Sequence, residues 1–495
     1  MTLGERLKKI SKRFPGKTAL IFEGRRYRYR ELDEKTDSFA SGLKSIGVEM
    51  GDRVAILLPN RPEFAIAYFG TVKAGAAAVP INTFLAPPEI EFILADSGAK
   101  CLVCDISFAE KISGLKLGAK VVSVGGGIPG ATAFESLFKH NEKVSVAVTP
   151  DDPAAILYTS GTTGRPKGAV LTHKNLLSNA DSAAGMFRVD SRDRMLLFLP
   201  MFHSFTFLVC LLLPLSIGAR VYVLSSVKPF SRVIKAVLFG RASFFVAIPP
   251  VYNLLSYKRF PRFIFWLLRL RLCVSGAAPL SGEVLGRWAK NYPIPLLEGY
   301  GLTEASPVVS CNPLDGERKA GSVGIPIPGV EVKVVDQEEA ELPPGQVGEL
   351  IVKGPNVMRG YWNNEAATRE TIKGGWLFTG DLGYKDRDGY IFIVDRKKDL
   401  IIHKGLNIYP REVEEVIYQH PAVRQAAVVG IKEGGHGEIP KAFVSLNEGA
   451  ELTERELKVF LKGRLAAYKI PRQVEILPEL PMTPTGKVLK RALKG

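Results

Sequence analysis

Residues 158–168 are the part of this sequence best suited to bind an anion. They read Tyr-Thr-Ser-Gly-Thr-Thr-Gly-Arg-Pro-Lys-Gly and lie between the apolar runs 154–157 and 169–171. This arrangement predicts a loop between two buried strands. Glycines let successive backbone N–H groups point into one concavity, hydroxyls add donors, and Arg165 and Lys167 add positive charge. The segment therefore predicts a phosphate-binding loop.

Two common nucleotide motifs are excluded by the spacing. A Walker loop fails because Pro166 occupies its second glycine position and Gly168 stands where Ser or Thr is required. A dinucleotide fingerprint beginning at Gly299 fails because Glu304 occupies its third glycine position. A Gly/Thr hairpin without a ligand is the alternative interpretation of residues 158–168.

Residues 297–304 form a second candidate site. Tyr300 lies between two glycines, which is typical of a flat surface for a base. Thr303 can donate to a phosphate, and Glu304 offers a hard oxygen ligand suited to Mg²⁺. A glycine turn that opens a helix is the alternative.

Three further positions combine chemistry with a neighbouring predicted strand. Asp381 follows a predicted buried strand, and a carboxylate can accept both hydroxyls of a ribose. Residues 276–278 are small and follow the predicted strand 272–275, so a ligand could approach their backbone. His203 lies among aromatics, where a core histidine with satisfied hydrogen bonds is the alternative to a site residue.

The elements that would position these residues alternate along the chain. A strand at 53–58, a helix at 63–74 and a strand at 77–80 predict βα units and a mainly parallel sheet. Thr172 is a predicted N-cap of the helix that follows the phosphate loop. Residues 257–272 mix aromatics with five cations and predict a helix, which either lines the sheet or lies exposed against an anionic membrane.

The C-terminal part predicts a separate small domain. The charged run Asp395–Asp399 follows an apolar strand at 390–394 and has the composition of an exposed linker, which gives predicted domains of 1–395 and 396–495. Beyond it the pattern predicts an α+β unit with two helices and two strands, at 411–420, 454–465, 426–429 and 442–446.

Composition limits the partners and the compartment. The 495 residues carry a net charge of +16, which favours anionic partners, but the cations are spread without a basic tail, which disfavours nucleic acid. Five cysteines indicate a reducing, cytoplasmic location, and Cys101 and Cys104 are expected to be buried core residues.

The uncharged span 195–219 is long enough to cross a bilayer, but Pro214 would break a helix, so a buried strand, loop and helix is expected. No secretory signal is expected.

The motifs, in this order, resemble those of the adenylate-forming superfamily of acyl-CoA synthetases, luciferases and peptide-synthetase adenylation domains. The resemblance covers essentially the whole chain. It implies an α/β fold with a large N-terminal domain of two mainly parallel sheets plus a β-subdomain, and a small mobile α+β C-terminal domain. It also implies the residues that contact ATP or coenzyme A: Thr159, Ser160, Gly161, Thr162, Thr163, Gly164, Lys167, Gly276, Ala277, Ala278, Glu298, Gly299, Tyr300, Gly301, Asp381, Arg396, Lys398, Lys404, Gly405 and Leu406.

The resemblance further implies individual roles. Tyr300 would pack on adenine, Thr303 would contact the α-phosphate, and Glu304 would hold the metal. Asp381 and Arg396 would bind ribose, and His203 would lie at the acyl pocket. The remaining roles fall in the C-terminal part, with Lys487 as the catalytic lysine, Lys398 as the hinge, and the loop around Gly405 facing the pantetheine arm of CoA.

These assignments predict an AMP-forming acyl-CoA ligase that uses ATP, Mg²⁺ and CoA. An amino-acid substrate is disfavoured, because His203 stands where amino-acid-activating relatives carry an aspartate. A medium- or long-chain fatty acid is favoured, with an aryl acid or a carrier-protein acceptor as alternatives. A non-catalytic nucleotide-binding or membrane-surface protein is the alternative from another class. Peripheral contact with a membrane and a homo-oligomer stay open.

Overall fold

The computed structural model describes residues 1–140, 144, 146–159, 165–227, 229–403, 406–432, 438–482 and 488–494. Within these residues, the strands form a nine-stranded sheet, an eight-stranded sheet, a five-stranded sheet, a three-stranded sheet and a two-stranded hairpin. The two largest sheets are mainly parallel and share one apolar core, and the smaller sheets follow them in sequence. The predicted α/β fold, with a β-subdomain and a small C-terminal α+β domain, is confirmed.

The eight-stranded sheet is built largely from the first third of the chain. Its strands, in sequence order, are Arg53–Leu57, Ala77–Pro80, Cys101–Asp105, Lys120–Val124, Thr132–Ala133, Pro153–Thr159, Lys167–Thr172 and Gly360–Tyr361. The last two pair antiparallel at one edge. The helices of this region are Tyr29–Ser45, Pro62–Lys73, Pro87–Ser97 and Ala109–Ile112. The predicted strand, helix and strand at 53–80 are confirmed to within a residue.

The nine-stranded sheet carries most of the candidate site. Its strands are Thr18–Phe22, Arg25–Arg28, Arg194–Leu197, Arg220–Val223, Phe244–Ala247, Leu272–Ser275, Leu296–Gly301, Val308–Cys311 and Ile325–Pro326. Its helices are Leu3–Arg13, His173–Met186, Leu213–Ile217, Phe230–Phe239, Pro249–Ser256, Arg262–Leu267 and Gly282–Asn291. The Thr172 hydroxyl caps His173–Met186 by accepting from the Asn175 N–H at 3.1 Å, as predicted.

The remaining elements form the two smaller parts of the fold. The five-stranded sheet is antiparallel and contains Glu331–Val335, Gly348–Lys353, Ile372–Lys373, Trp376–Lys385 and Ile391–Arg396, with helix Glu365–Thr371 beside it. The C-terminal part contains the hairpin Ile401–His403 and Leu406–Ile408, helices Pro410–Tyr418 and Glu454–Leu461, and strands Val423–Lys432, Glu438–Leu446 and Gln473–Ile476. The predicted helix 454–465 is therefore too long, since the chain turns at Gly463 with a φ of +78°.

The prediction of one helix over 257–272 is wrong. Only Arg262–Leu267 is helical, because Pro261 lacks a backbone donor and disfavours helical geometry in the residue before it. Phe260 and Phe265 pack against the core below the nine-stranded sheet, whereas Tyr257 and Phe263 are 66% and 62% exposed. The segment is neither wholly core nor a continuous exposed amphipathic helix.

The uncharged span 195–219 is a buried strand, loop and helix, as predicted. Its helix begins with the π-helical segment Thr206–Leu212 and continues as Leu213–Ile217, so Pro214 lies in the first turn of the α-helical part. Among the described residues, no helix is both long and apolar enough to cross a membrane.

The charged run 395–399 agrees only in part with the predicted exposed linker, because Arg396, Lys397 and Lys398 are exposed whereas Asp395 is buried. Asp395 is buried, and its carboxylate accepts the backbone N–H groups of Arg396 at 2.7 Å and Arg411 at 2.8 Å. The acid is buried because it caps the first turn of helix Pro410–Tyr418.

The two cysteines with redox-like spacing are core residues. Cys101 and Cys104 are free and fully buried in strand Cys101–Asp105, and burial raises the pKa of each thiol to about 12. Both therefore stay protonated near neutral pH, in agreement with the prediction.

Candidate active site

The carboxyl ends of three parallel strands bring candidate residues to one edge of the nine-stranded sheet. His203 lies in the loop after Arg194–Leu197, residues 276–278 follow Leu272–Ser275, and Thr303 follows Leu296–Gly301. Ligands of open α/β sheets bind outside this edge. The Thr303 hydroxyl lies 3.1 Å from the Ser204 hydroxyl, which places the loop that contains His203 beside the segment around Thr303.

The predicted phosphate loop lies between two antiparallel strands. Thr159 ends Pro153–Thr159 and is the register partner of Lys167, which begins Lys167–Thr172. The Lys167 ammonium lies 5.2 Å from the centre of the Tyr361 ring. Five predicted phosphate contacts lie outside the described residues: Ser160, Gly161, Thr162, Thr163 and Gly164.

The Glu304 side chain follows a strand of the nine-stranded sheet and contacts residues of the eight-stranded sheet beside this loop. Its Oε1 accepts a hydrogen bond from the Tyr361 hydroxyl at 2.9 Å and lies 3.5 Å from the Thr159 hydroxyl. Burial and the Glu304 charge raise the pKa of Tyr361, so the tyrosine stays protonated and acts as the donor. Thr159, Lys167, Glu304 and Tyr361 therefore surround one position beside the phosphate loop.

A second cluster links the nine-stranded sheet to the five-stranded sheet. The Tyr300 hydroxyl donates to Asp381 Oδ2 at 2.6 Å, and Arg396 Nε lies 2.9 Å from Asp381 Oδ1. Asp381 lies within strand Trp376–Lys385 and not after a strand, contrary to the prediction, and Arg396 is its register partner on the next strand. The charge of Asp381 raises the pKa of Arg396. The pKa of Tyr300 is raised mainly by burial and also by the charge of Asp381.

The glycine-containing turn after Leu272–Ser275 is held against the strand that carries Tyr300. Glu298 is 4% exposed, and its Oε1 accepts the Leu280 N–H at 2.9 Å. Ala277 has a φ of +69°, and a Cβ at Gly276 would lie 2.9 Å from the Phe205 ring. The turn thus packs closely on the loop that contains His203.

Two sequence families match this chain. The model of AMP-binding enzymes matches residues 7–362, and the model of the AMP-binding enzyme C-terminal domain matches residues 412–487. The chain belongs to the AMP-binding enzyme family.

Individual relatives of this family cover almost the whole chain. The long-chain-fatty-acid–CoA ligase of Escherichia coli O6:H1 is 36% identical over 520 residues, which cover 97% of this chain and 92% of that protein. The feruloyl-CoA synthase of Amycolatopsis sp. is 37% identical over 479 residues, covering 96% and 95%. ATP-bound MatB from Rhodopseudomonas palustris is 32% identical, with a TM-score of 0.92 over 100% of this chain and 98% of that chain. The apo structure of MatB gives a TM-score of 0.80 at the same coverage and 33% identity.

This AMP-binding enzyme is an AMP-forming acyl-CoA synthetase that uses ATP and CoA. The predicted adenylate-forming family and ligase activity are thereby confirmed, whereas the roles of individual site residues stay predictions. Lys404, Gly405 and Lys487 lie outside the described residues. Leu406 begins strand Leu406–Ile408, and Lys398 lies in the short helical turn Lys397–Asp399.

The metal that the synthetase family implies is compatible with a single protein carboxylate. Among the described residues, no cluster of three or more His, Cys, Asp or Glu side chains could hold a metal ion. Mg²⁺ usually takes one or two carboxylates and completes its shell with substrate phosphates and water. Glu304, beside the phosphate loop, fits that pattern.

The sequence analysis of the synthetase missed three side chains that contact the predicted site residues or their neighbours in the chain. Tyr361 bonds Glu304, Ser204 contacts Thr303, and Glu349 accepts the Gly380 N–H at 3.0 Å while pairing with Lys397 at 2.8 Å. Tyr361 comes from an edge strand 57 residues after Glu304. No local spacing indicates such a contact, whereas Ser204 could have been noticed from its place beside His203.

Replacing Glu298 by glutamine should remove part of the pH dependence of stability. Burial raises the pKa of Glu298 to about 7, so its protonated form favours folding below about pH 4.5, and this contribution is lost as the pH rises through 7. The ionisation of Glu298 should lower the free energy of unfolding by about 3 kcal/mol between pH 4.5 and pH 7. Urea unfolding at acid and neutral pH should show a smaller loss of stability for Glu298→Gln than for the wild type. The same loss in both proteins would contradict the prediction.

Proposed function

We propose that this synthetase activates a medium- or long-chain fatty acid with ATP and Mg²⁺ and transfers the acyl group to CoA. In the first half-reaction a carboxylate oxygen attacks the α-phosphorus of ATP, and pyrophosphate leaves. In the second, the CoA sulfur attacks the acyl carbonyl, the thiol gives up its proton, and AMP leaves. The observation that carries the proposal is the convergence of Thr159, Lys167, Glu304 and Tyr361 at the phosphate loop.

The chain's own groups would act by binding and by charge stabilisation. Lys167 would balance the charge of the triphosphate, and Thr303 would donate to the α-phosphate. Glu304 would hold Mg²⁺, which neutralises phosphate charge when bound. Asp381 has both carboxylate oxygens engaged by Tyr300 and Arg396, yet a carboxylate has about four acceptor positions, so ribose hydroxyls could also be accepted.

The choice of acid rests on apolar surroundings and on the relatives. The segment from Phe198 through Leu215 is largely apolar, and the centres of the stacked Phe198 and Phe245 rings lie 5.3 Å apart. The E. coli relative is a long-chain-fatty-acid–CoA ligase, which supports a fatty acid. An aryl acid is the second candidate, because the feruloyl-CoA synthase is similarly close and the Phe84 and Phe202 rings lie 6.2 Å apart beside the loop containing His203. Transfer to a carrier protein is the alternative for the acceptor.

Pyrophosphate release across a panel of acids, with and without CoA, tests the proposal. A CoA-dependent signal that peaks at one fatty-chain length is expected. A peak at benzoate-like acids would replace the fatty-acid proposal by the aryl one. Thioester formation only with a carrier protein would identify the carrier protein as the acceptor. No pyrophosphate release with any acid would favour a non-catalytic nucleotide-binding role.

The compartment proposed for the protein is the cytoplasm. All five cysteines are free and buried, which suits a reducing environment.

We also propose that residues 396–495 turn about Lys398 between the half-reactions, exchanging Lys487 for the loop around Gly405 at the active site. The two MatB structures support such a movement, because one protein superposes on this chain with a TM-score of 0.92 in its ATP-bound form and 0.80 in its apo form. Two such different scores for the same fold are expected when domains change their arrangement.

Lys398→Pro should separate the half-reactions. Proline fixes φ and removes a donor, so pyrophosphate release should stay within about twofold while thioester formation falls about tenfold or more. Lys398→Ala is the matched control, because it removes the same charge without restricting the backbone, and it should leave the ratio of the two rates unchanged. Equal losses in both half-reactions for Lys398→Pro would contradict the hinge proposal.

A further inference from the structure

Four arginines lie along the amino edge of the nine-stranded sheet, at the opposite end of the strands from the candidate active site. Arg194 and Arg220 begin neighbouring parallel strands and are register partners. Arg241 and Arg269 come shortly before strands Phe244–Ala247 and Leu272–Ser275, which run parallel to the first two. All four guanidinium groups therefore belong to the same end of the sheet.

These arginines lie close to one another without acidic partners. The pKa of Arg194 is lowered by burial and then by the charges of Arg220, Arg269 and Arg241. Within the described part of the chain, none of the four forms an ion pair with a carboxylate, and the buried Nε of Arg220 has no hydrogen-bond partner.

Two acids that lie shortly before Arg194 in sequence are already paired with other arginines. Asp190 pairs with Arg192 at 2.7 Å, and Asp193 pairs with Arg271 at the same distance. These two acids therefore do not balance the positive charges of the four arginines. Like charges held close together repel each other unless an anion lies among them. The proposed ATP site does not supply that anion, because Tyr300 and Thr303, which are predicted to contact ATP, lie at or beyond the carboxyl end of a strand in the same sheet.

Two large apolar side chains are exposed beside the arginines. Leu238 and Phe239 end helix Phe230–Phe239 and are 37% and 82% exposed. The next residue, Gly240, accepts a hydrogen bond from Arg194 Nη1 at 3.4 Å through its carbonyl, which places the end of this helix against the arginines. The inner side of the helix is buried through Val233 and Ala236, so the helix is already anchored to the core.

We propose that this surface, called the arginine patch and formed by Arg194, Arg220, Arg241, Arg269, Leu238 and Phe239, binds an anionic phospholipid bilayer. The arginines would contact headgroup phosphates, and Leu238 and Phe239 would enter the boundary between headgroups and acyl chains. A consecutive leucine and phenylalanine favour lipid over nucleic acid, since a leucine offers no ring for a base to stack on. The carboxyl edge of the sheet would stay open to water.

Vesicle co-sedimentation of the full chain tests the proposal without depending on catalysis. The wild type should sediment with vesicles that contain phosphatidylglycerol, bind phosphatidylcholine vesicles weakly, and release at high salt. Phe239→Ser combined with Arg241→Asn should lower the partition coefficient about tenfold or more. Asparagine suits position 241 because Arg241 has a φ of +54°.

The matched control carries the same kind of change on the exposed face of helix Glu454–Leu461. Val459→Ser combined with Arg455→Asn also removes an exposed apolar side chain and an exposed arginine, and it should bind vesicles like the wild type. Pyrophosphate release by both double variants should match the wild type, which shows that they fold.

Three outcomes would overturn the proposal. The wild type could fail to bind phosphatidylglycerol vesicles, or the patch variant could bind them as the wild type does. The third outcome is tighter binding to a single-stranded oligonucleotide that Arg241→Asn abolishes and Phe239→Ser leaves intact, which would assign the arginines to a nucleic acid.

Discussion

Replacing Lys487 by alanine is expected to slow acyl-adenylate formation by about 10²–10³-fold and to change thioester formation from supplied acyl-adenylate by only a few-fold. The first half-reaction brings two anions together, so a lysine at the reacting phosphate has its largest effect there. In the second half-reaction, the proposed turn about Lys398 would move Lys487 away from the active site. Pyrophosphate release and acyl-CoA formation, measured separately, check the two parts of this prediction.

The ends of the segment that contains Lys487 are anchored. The Leu489 N–H donates to the Pro481 carbonyl at 2.7 Å, and Lys490 pairs with the half-buried Glu414 at 2.8 Å. Lys494→Ala is the matched control, since it removes a lysine from the same C-terminal segment and should preserve both rates. Equal slowing of both half-reactions by Lys487→Ala would contradict its proposed role.

Glu304→Gln should lower the rate of adenylation by about 10²-fold and raise the Mg²⁺ concentration needed for half-maximal rate. Glutamine preserves the size of the side chain and can still accept from the Tyr361 hydroxyl, so the change removes mainly the negative charge. The measurement is the rate of pyrophosphate release over a range of Mg²⁺ concentrations.

Tyr361→Phe separates the charge of Glu304 from its positioning. This variant keeps the carboxylate and loses the 2.9 Å hydrogen bond, so its rate should fall by less than about tenfold and its Mg²⁺ requirement should change little. An unchanged Mg²⁺ requirement in Glu304→Gln, with an unchanged rate, would show that another group holds the metal.

The sequence predicted well those helices, strands and caps that depend only on residues close to one another in the chain. The alternation at 53–80 is visible in sequence because each buried strand is continuously apolar and the helix between them begins at Pro62 and ends before Gly75. The Thr172 cap was predictable because its chemistry involves only the next three residues. The length of the helix predicted over 257–272 was overestimated, because Pro261 prevents the residues before it from continuing the helix despite their apolar pattern.

Contacts between distant segments could not be predicted in the same way. Strand Thr18–Phe22 joins the sheet that contains Arg220–Val223, although nothing in either segment identifies the other as its partner. Tyr361 reaches Glu304 because Gly360–Tyr361 pairs with the strand after the phosphate loop. The resemblance predicted which residues belong to the site, and their roles stay predictions. The pairings of Tyr300 with Asp381 and of Thr303 with Ser204 depend on the folded chain.

The contacts of Arg411 bear on how fast the enzyme could cycle. Its backbone N–H is held by Asp395, and its guanidinium donates to the Ile393 carbonyl at 2.8 Å, so helix Pro410–Tyr418 is tied to the strand that precedes Lys398. A rotation about Lys398 would have to break both hydrogen bonds in every turnover and remake them afterwards. These bonds would therefore favour the arrangement described here when no substrate is bound, and the free-energy barrier to breaking them would set an upper limit on the rate of exchange between the two half-reactions.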